Sequence, residues 1–213
     1  MSDVAPDGSP VEVYTALPEE PDLSRVRSVV RAGASVLDLG TGVGRIANPL
    51  VRDGHAVVAV DNAPEMLARV VGAEVVLADV FTLDLGRTFD VVLALSHLID
   101  SRVREQRSAL LRVCRAHVRD DGLVLLQRYP RGWIPVEGKN RIDDIGVHLH
   151  DIELLHDGFA AQVTYTLGDR EWTQVFEGAV VDDAELHALA AEAGLGVRDM
   201  LDDDGVWVVL APV

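Results

Sequence analysis

The sequence predicts an α/β protein with a doubly wound, mostly parallel sheet, followed by a three-stranded antiparallel meander. Short runs of Val, Leu and Ala alternate with segments of helical spacing between residues 35 and 127. Residues 146–180 instead alternate in polarity, and residues 182–213 read as a helix and two strands. Strands that are apolar on both faces are typical of a parallel sheet covered by helices on each side.

The first part of the chain is predicted to contain five strands and their helices. An acidic lead over residues 1–22 precedes a helix over Leu23–Arg31, which ends at Gly33. Helices are also predicted from the turn after Gly40 to about Asp53, over Pro64–Val71 and over Arg102–Val118. The strands are predicted at Ser35–Leu39, His55–Val60, Glu74–Leu77, Asp90–Leu95 and Leu123–Gln127.

The second part of the chain changes to a period of two. One predicted strand of the meander carries its apolar side chains on one face and is flanked by the turn pairs Asp157-Gly158 and Gly168-Asp169. The side chains of that face are Phe159, Ala161, Val163, Tyr165 and Leu167. A helix over Asp182–Ala193, with an acidic cap and Gly194 at its end, precedes strands near Gly196–Leu201 and Val206–Ala211.

The composition is that of one globular domain, with 213 residues, 48% hydrophobic and 25% charged. The formal net charge of −16 disfavours a nucleic-acid partner, because acidic surface repels a phosphate backbone. The first ten residues lack the basic region of a secretory signal, and no apolar run reaches membrane-spanning length. We therefore expect a cytoplasmic protein with no membrane partner.

Two residue counts add to this interpretation. Cys114 is the single cysteine and lies in a helical pattern, so we expect a buried structural thiol and not a nucleophile. Lys139 is the single lysine beside 18 arginines, which together with abundant Ala, Val and Asp favours a GC-rich bacterial genome.

The stretch VLDLGTGVGR, residues 36–45, places Gly40, Gly42 and Gly44 directly after the first strand. In a doubly wound sheet this turn approaches the ligand most closely, and glycine brings bare backbone to it. The dinucleotide fingerprint G-x-G-x-x-G would require a glycine at position 45, where this chain has Arg45. This disfavours NAD, although an NAD(P)-dependent oxidoreductase remains the alternative.

The order of Asp38 and the three glycines resembles the first motif of the class I S-adenosylmethionine-dependent methyltransferases. The similarity continues at the ends of the next three strands, in VVAVDNAPEML, VLADVF and FDVVLALSHLID. It implies a seven-stranded sheet with a reversed C-terminal hairpin strand. It also implies S-adenosylmethionine as cofactor, with S-adenosylhomocysteine as product. A module that binds the cofactor without transferring methyl is a further alternative.

The resemblance also assigns roles to individual residues. It implies that Asp61 holds the ribose hydroxyls, with Asn62 and Met66 beside the adenosine. Asp79 and Val80 are expected at the adenine, and Ser96 at the methionine end. Tyr14 lies in the lead, which in relatives folds over the cofactor, and is expected at the methionine moiety.

His97 and Asp100 are the candidate catalytic residues. Methyl transfer depends mainly on positioning, and a base is needed only if the acceptor must lose a proton. Histidine is a common general base, and His97 follows the fourth strand, so it is the candidate base. The alternative is a histidine that only caps the strand. Asp100 either orients that imidazole, binds an amine acceptor or caps the helix beginning near Ser101.

The acceptor is expected to be a small organic molecule methylated at oxygen, nitrogen or carbon. The residues LSHL after the fourth strand lack the Asn-or-Asp, Pro, Pro, aromatic signature of amino-methylases of nucleic acid bases. Tyr129, Arg131 and Trp133 are expected to wall the acceptor pocket, and the meander to form a partial lid or a homodimer surface. His148, His150 and His156 lack a ligand framework, so no metal is predicted.

Overall fold

The computed structural model describes residues 3–213, so the first two residues of the predicted lead lie outside the described part. Helices are α1 Val11–Ala16, α2 Asp22–Val29, α3 Ala47–Arg52, α4 Pro64–Leu67, α5 Arg104–His117 and α6 Asp183–Glu192. Seven strands form the main sheet: β1 Ser35–Leu39, β2 Ala56–Asp61, β3 Glu74–Leu77, β4 Phe89–Ala94, β5 Val118–Gln127, β10 Leu195–Met200 and β11 Trp207–Pro212. The second sheet consists of β6 Gly138–Ile142, β7 Ile145–Leu155, β8 Gly158–Leu167 and β9 Arg170–Gly178.

The main sheet has the strand order β10-β11-β5-β4-β1-β2-β3. The pairs among β1 to β5 are parallel, whereas β11 runs antiparallel to both β5 and β10. This confirms the doubly wound, mostly parallel sheet with a reversed C-terminal hairpin strand. The strand order reverses beside β1, so the ends of β1 and β4 open onto the crevice where such sheets bind ligands.

Helices cover both faces of the main sheet, as the apolar runs predict. On one face Leu23 of α2 and Leu50 of α3 pack with Val36 of β1 in one core cluster. On the other face Leu110 of α5 and Leu186 of α6 belong to a second cluster. The apolar residues of β1 and β4 alternate between the two clusters, so both faces of these strands are buried.

The second sheet is antiparallel and has four strands instead of the predicted three. The additional strand is β6, whose five residues GKNRI are all exposed. It is an edge strand that buries no face, so its sequence carries no alternation of polarity. The predicted turn pairs Asp157-Gly158 and Gly168-Asp169 do connect β7 to β8 and β8 to β9.

Several other boundaries differ from the predictions by one or two residues, and those of three elements differ by more. The helix after β1 begins only at Ala47, because the three glycines of the preceding turn adopt positive φ angles. β5 begins at Val118, five residues before the predicted start, and continues through Gly122, where a Cβ would lie 2.8 Å from the Asp90 carbonyl oxygen. α4 ends at Leu67, four residues before the predicted end. In residues 3–213 no helix combines the length and the apolar character that a membrane crossing requires.

Candidate active site

Two connected cavities open where the parallel strands end. The first, of about 260 Å³, lies over the residues that follow β1, β2 and β3. The second, of about 510 Å³, lies between the residues that follow β4 and the inner face of β7, β8 and β9. The two cavities share five lining residues, which are Asp7, Tyr14, Phe81, Ser96 and Leu98.

The glycine turn forms the floor of the first cavity. Gly40 and Gly42 line it, with φ angles of 67° and 56°, in the left-handed region that favours glycine. A Cβ on Gly42 would meet no atom within 4 Å, whereas a Cβ on Gly40 would lie 3.0 Å from the side chain of Leu98. The backbone at Gly42 therefore faces open cavity space.

Gly44 and Asp38 do not line the first cavity, in contrast to the other predicted cofactor residues. A Cβ on Gly44 would lie 2.8 Å from Oδ1 of Asn48, and that same oxygen accepts the Val71 amide at 2.7 Å. Asp38 is buried beneath the turn and accepts a 2.6 Å hydrogen bond from the Thr41 hydroxyl. Both residues support the shape of the turn from below.

Burial raises the pKa of Asp38 from 3.8 to about 6, while the bond from Thr41 acts in the opposite direction. The charged form of a carboxyl group loses hydration when it is enclosed, which favours the protonated form. Asp38 is thus a buried group that titrates close to neutral pH.

Asp61 closes β2 and points its carboxylate across the glycine turn. Its Oδ2 accepts the Gly42 amide at 2.8 Å and its Oδ1 accepts the Ala63 amide at 2.9 Å. Burial raises the pKa of Asp61, and these backbone hydrogen bonds oppose the increase. Each oxygen retains a second lone pair, so the carboxylate can still accept hydrogen bonds from a ligand.

The remaining predicted cofactor residues also line the first cavity. Asn62 and Met66 follow Asp61, and Asp79 and Val80 follow β3. One oxygen of Asp79 accepts the Phe81 amide at 2.8 Å, which fixes the turn after β3. The first cavity therefore brings together residues from three successive strand ends.

The lead folds over the first cavity, as predicted for Tyr14. Asp7 and Ser9 line the same cavity, and no sequence pattern predicts them there. Ser9 is buried, and its hydroxyl lies 3.0 Å from Nε2 of Gln174 on β9. This bond holds the lead against the second sheet. Asp7 and Ser9 are therefore positioned in part by Gln174, which lies far along the chain.

Arg45 also lines the first cavity, at the position where a dinucleotide fingerprint has glycine. Its guanidinium bonds the Asp22 carboxylate at 2.7 Å and the Pro18 carbonyl at 3.0 Å. The arginine therefore ties the glycine turn to the start of α2.

Ser96 and His97 follow β4 and both adopt left-handed backbone conformations, with φ angles of 53° and 62°. Such angles are strained for residues other than glycine and are characteristic of functional sites. The Ser96 amide donates to Oε1 of Gln127 at 2.9 Å, which holds this turn against β5. Ser96 reaches both cavities, and His97 reaches the second.

The imidazole of His97 is held on two sides. Its Nδ1 lies 3.2 Å from Oδ2 of Asp100. The ring stacks on Tyr129 with a centroid distance of 4.2 Å, and Tyr129 in turn stacks on Trp133 at 4.3 Å. The side chain of His97 nevertheless remains 37% exposed.

Asp100 is buried and does not cap a helix. α5 begins at Arg104 with Val103 at its cap position, so the capping hypothesis is wrong. Oδ2 of Asp100 accepts the Tyr129 amide at 2.7 Å, in addition to its contact with His97. The carboxylate thus connects the segment after β5 to the imidazole. This geometry agrees with the alternative in which Asp100 orients His97.

Tyr129 and Tyr165 bring two phenols to the second cavity. Burial raises the pKa of both phenols, and the nearby charge of Asp100 raises that of Tyr129 further. Trp133 packs behind Tyr129 and does not itself line the cavity. Arg131, predicted to wall the pocket, instead bonds Asp183 at 2.8 Å on the far side of β5.

His148 and His150 lie side by side on the second sheet, with ring centroids 4.7 Å apart. Nε2 of His150 lies 2.8 Å from the Thr164 hydroxyl, and its Nδ1 lies 3.1 Å from Asp151. Residues 3–213 contain no group of three or more side chains placed to hold a metal ion. Cys114, as predicted, is fully buried, and burial raises its thiol pKa to about 12.

The mostly parallel seven-stranded sheet with its reversed C-terminal strand is the fold of the class I S-adenosylmethionine-dependent methyltransferases. Residues 36–122 match the family model described as "Methyltransferase domain". The matched segment runs from β1 into β5 and contains the whole glycine turn. No curated protein sequence matches the chain.

Several solved structures share the fold over almost the entire chain. The CcbJ methyltransferase from Streptomyces caelestis has 21% identity and a TM-score of 0.78, with 100% of each chain covered. The sugar N-methyltransferase KedS8 from a Streptoalloteichus species has 20% identity and a TM-score of 0.74, covering 96% of this chain and 93% of that one. The amino pentose methyltransferase CalS10 from Micromonospora echinaspora has 23% identity and a TM-score of 0.74, covering 92% and 90%.

Proposed function

We propose that this protein is a methyltransferase of this class, which transfers the methyl group of S-adenosylmethionine to a small organic acceptor bound in the second cavity. The observation that supports the proposal is the junction of the two cavities at Tyr14 and Ser96. A cofactor in the first cavity and an acceptor in the second would meet there. KedS8 and CalS10, which act on sugars by their names, support an acceptor of metabolite size.

Two features of the first cavity fit an adenosyl cofactor, namely its polar side chains and the glycine backbone that forms its floor. The bare backbone of Gly40 and Gly42 leaves room for the methionine part, because a side chain at Gly42 would enter the cavity. Asp61 is the acceptor proposed for the vicinal ribose hydroxyls. We assign Asn62 and Met66 to the adenosine, and Asp79 and Val80 to the adenine.

The residues that do not line the cavity receive a supporting role. Asp38 holds Thr41, and Gly44 admits Asn48, so the glycine turn keeps the shape that the cofactor requires. Tyr14 closes the methionine end from the lead, and Ser96 borders the junction with the second cavity.

When bound, S-adenosylmethionine supplies an electrophilic methyl group on a sulfonium sulfur. The protein contributes mainly by positioning the acceptor atom in line with the carbon–sulfur bond. Tyr129, Tyr165 and Phe176 form much of the wall that excludes water from the acceptor. Within this wall the acceptor is held against the cavity junction.

His97 is proposed as the base and Asp100 as the residue that positions it. With Nδ1 directed at Asp100, the other ring nitrogen is the one that accepts a proton. Stacking against Tyr129 fixes the plane of the imidazole. A general base of this type contributes roughly 100-fold or more to the rate.

We also propose that residues 1–213 act as one domain. The lead bonds to the second sheet through Gln174, and Arg170 of β9 pairs with Asp3 at 2.9 Å. These contacts support the proposal that the second sheet covers the site, in the lid role expected of the meander.

Calorimetry with S-adenosylmethionine, S-adenosylhomocysteine and NAD tests the proposed function. We expect both sulfur compounds to bind and NAD not to bind, with binding lost in Asp61→Ala. Tight binding of NAD without a response to the sulfur compounds would support the oxidoreductase. Cofactor binding without S-adenosylhomocysteine product, in a broad screen of acceptors, would support a binding module.

A further inference from the structure

The second cavity is lined by carboxylates and aromatic rings, and none of the residues that line it is lysine or arginine. The carboxylates are Asp7, Asp100 and Glu177, and His97 is the one basic side chain among the lining residues. The rings belong to Tyr14, Phe81, Tyr129, Tyr165 and Phe176. The cavity therefore combines negative charge with ring faces.

Of the three carboxylates that line the cavity, one forms an ion pair with an arginine. Glu177 bonds Nε of Arg102 at 2.8 Å, so this carboxylate is neutralised at the rim. Asp7 accepts hydrogen bonds from the amide and hydroxyl of Ser9, and Asp100 accepts the Tyr129 amide. Among residues 3–213 neither Asp7 nor Asp100 forms an ion pair with arginine or lysine.

This lining discriminates between kinds of acceptor. An anionic acceptor would give up its hydration in the cavity and find no cation to replace it. A cationic acceptor would instead be stabilised by the carboxylates and by ring faces, which attract ammonium groups. The phenols of Tyr129 and Tyr165 stay neutral at neutral pH, since burial raises the pKa of both.

We infer that the acceptor is a primary or secondary amine, recognised as its ammonium form and methylated on nitrogen. The inference rests on the proposed function, because it concerns the acceptor half of the same site. It also narrows the acceptor atom from oxygen, nitrogen or carbon to nitrogen.

The chemistry begins with a proton transfer. The ammonium gives one proton to Nε2 of His97, and Asp100 stabilises the imidazolium that results. The freed nitrogen lone pair forms the bond to the methyl carbon while the carbon–sulfur bond breaks. The electron pair of that bond leaves with sulfur, and the positive charge passes to the methylated nitrogen. His97 then releases its proton to solvent through its exposed edge.

Binding of matched compounds to the full chain saturated with S-adenosylhomocysteine tests this inference. One set is cyclohexylamine, cyclohexanol and cyclohexanecarboxylate, and the other is glucosamine, glucose and glucuronate. We expect each amine to bind about tenfold more tightly than its alcohol, with the carboxylate weakest, in titrations followed by NMR. Labelled methyl from S-adenosylmethionine is expected in the amine products only.

Two variants identify the source of the preference. Asp7→Asn is expected to weaken amine binding by about twofold to fivefold while alcohol binding stays unchanged, as for one partly exposed charge. Asp169→Asn, in the exposed turn between β8 and β9, removes the same charge away from the cavity and is expected to change neither.

The order of measurements separates the two proposals. If S-adenosylhomocysteine does not bind, the proposed function fails. If S-adenosylhomocysteine binds but the amines bind no more tightly than their matched alcohols or carboxylates, the amine inference is overturned. Methyl transfer to an alcohol with none to its matched amine would overturn it as well.

Discussion

Replacing Gly42 by alanine is expected to impair cofactor binding far more than it impairs folding. Gly42 has a φ of 56°, and its amide bonds Asp61 at 2.8 Å. A Cβ there meets no protein atom within 4 Å, so the methyl group would occupy the first cavity and not the core. The left-handed backbone costs an alanine about 1–2 kcal/mol, which lowers Tm by about 2–8 °C in a chain of this size.

Gly86→Ala provides the matched control. Gly86 has a φ of 63°, and a Cβ there also meets nothing within 4 Å, but it lies in the exposed loop before β4. Both variants therefore carry the same backbone strain, and only Gly42→Ala places a methyl group in the cavity.

Calorimetry with S-adenosylhomocysteine and thermal unfolding measure the two effects separately. We expect similar losses of Tm in both variants, and a Kd raised by about tenfold or more only in Gly42→Ala, which corresponds to about 1.4 kcal/mol. Equal cofactor affinity in the two variants would refute the placement of the cofactor against the glycine turn.

Three further predictions concern titration, catalysis and reactivity. Because the pKa of Asp38 is raised to about 6, the folded chain holds this proton more tightly than the unfolded chain. Its contribution to stability is therefore full below pH 3.8 and lost as the pH rises through 6. Asp38→Asn keeps an oxygen for the Thr41 hydroxyl but does not titrate. Between pH 3.8 and 6 its free energy of unfolding in denaturant should therefore rise by about 3 kcal/mol relative to that of the wild type. His97→Asn retains a residue that tolerates positive φ, and kcat should fall by about 100-fold while the Kd of the cofactor stays unchanged. Cys114 should react with a thiol reagent only as fast as the chain unfolds, because its thiol is buried and has a pKa of about 12.

Each of these predictions has a clear contradicting result. Parallel pH profiles for wild type and Asp38→Asn would show that Asp38 does not titrate in this range. An unchanged kcat in His97→Asn would remove the proposed base. Labelling of Cys114 faster than unfolding would contradict its burial.

The central strands were predictable because burial on both faces leaves a plain signal. β1, with four buried residues, has the predicted bounds Ser35–Leu39. The strand β6 was not predictable, since an edge strand with five exposed residues needs no apolar pattern. β6 is held in the sheet by backbone hydrogen bonds to β7, and these leave no pattern in the sequence of β6 itself.

The site shows the same division between local and distant information. Asp61 is the last residue of β2 and Asp79 lies two residues after β3, so a local pattern brings them to the cavity. Asp7 and Ser9 precede any recognisable element, and Gln174, more than 160 residues along the chain, holds them in place. Asp38 matches the motif, but its side chain is buried beneath the turn and does not line the cavity. The sequence alone does not predict this burial.

A crystal structure of the full chain with S-adenosylhomocysteine tests the central claim most directly. We predict the ribose hydroxyls within hydrogen-bond distance of Asp61, the homocysteine part against Gly40 and Gly42, and the sulfur at the junction with the second cavity. His97 is predicted to border the space beyond the sulfur. A ligand bound elsewhere, or a sulfur directed away from the second cavity, would contradict the account.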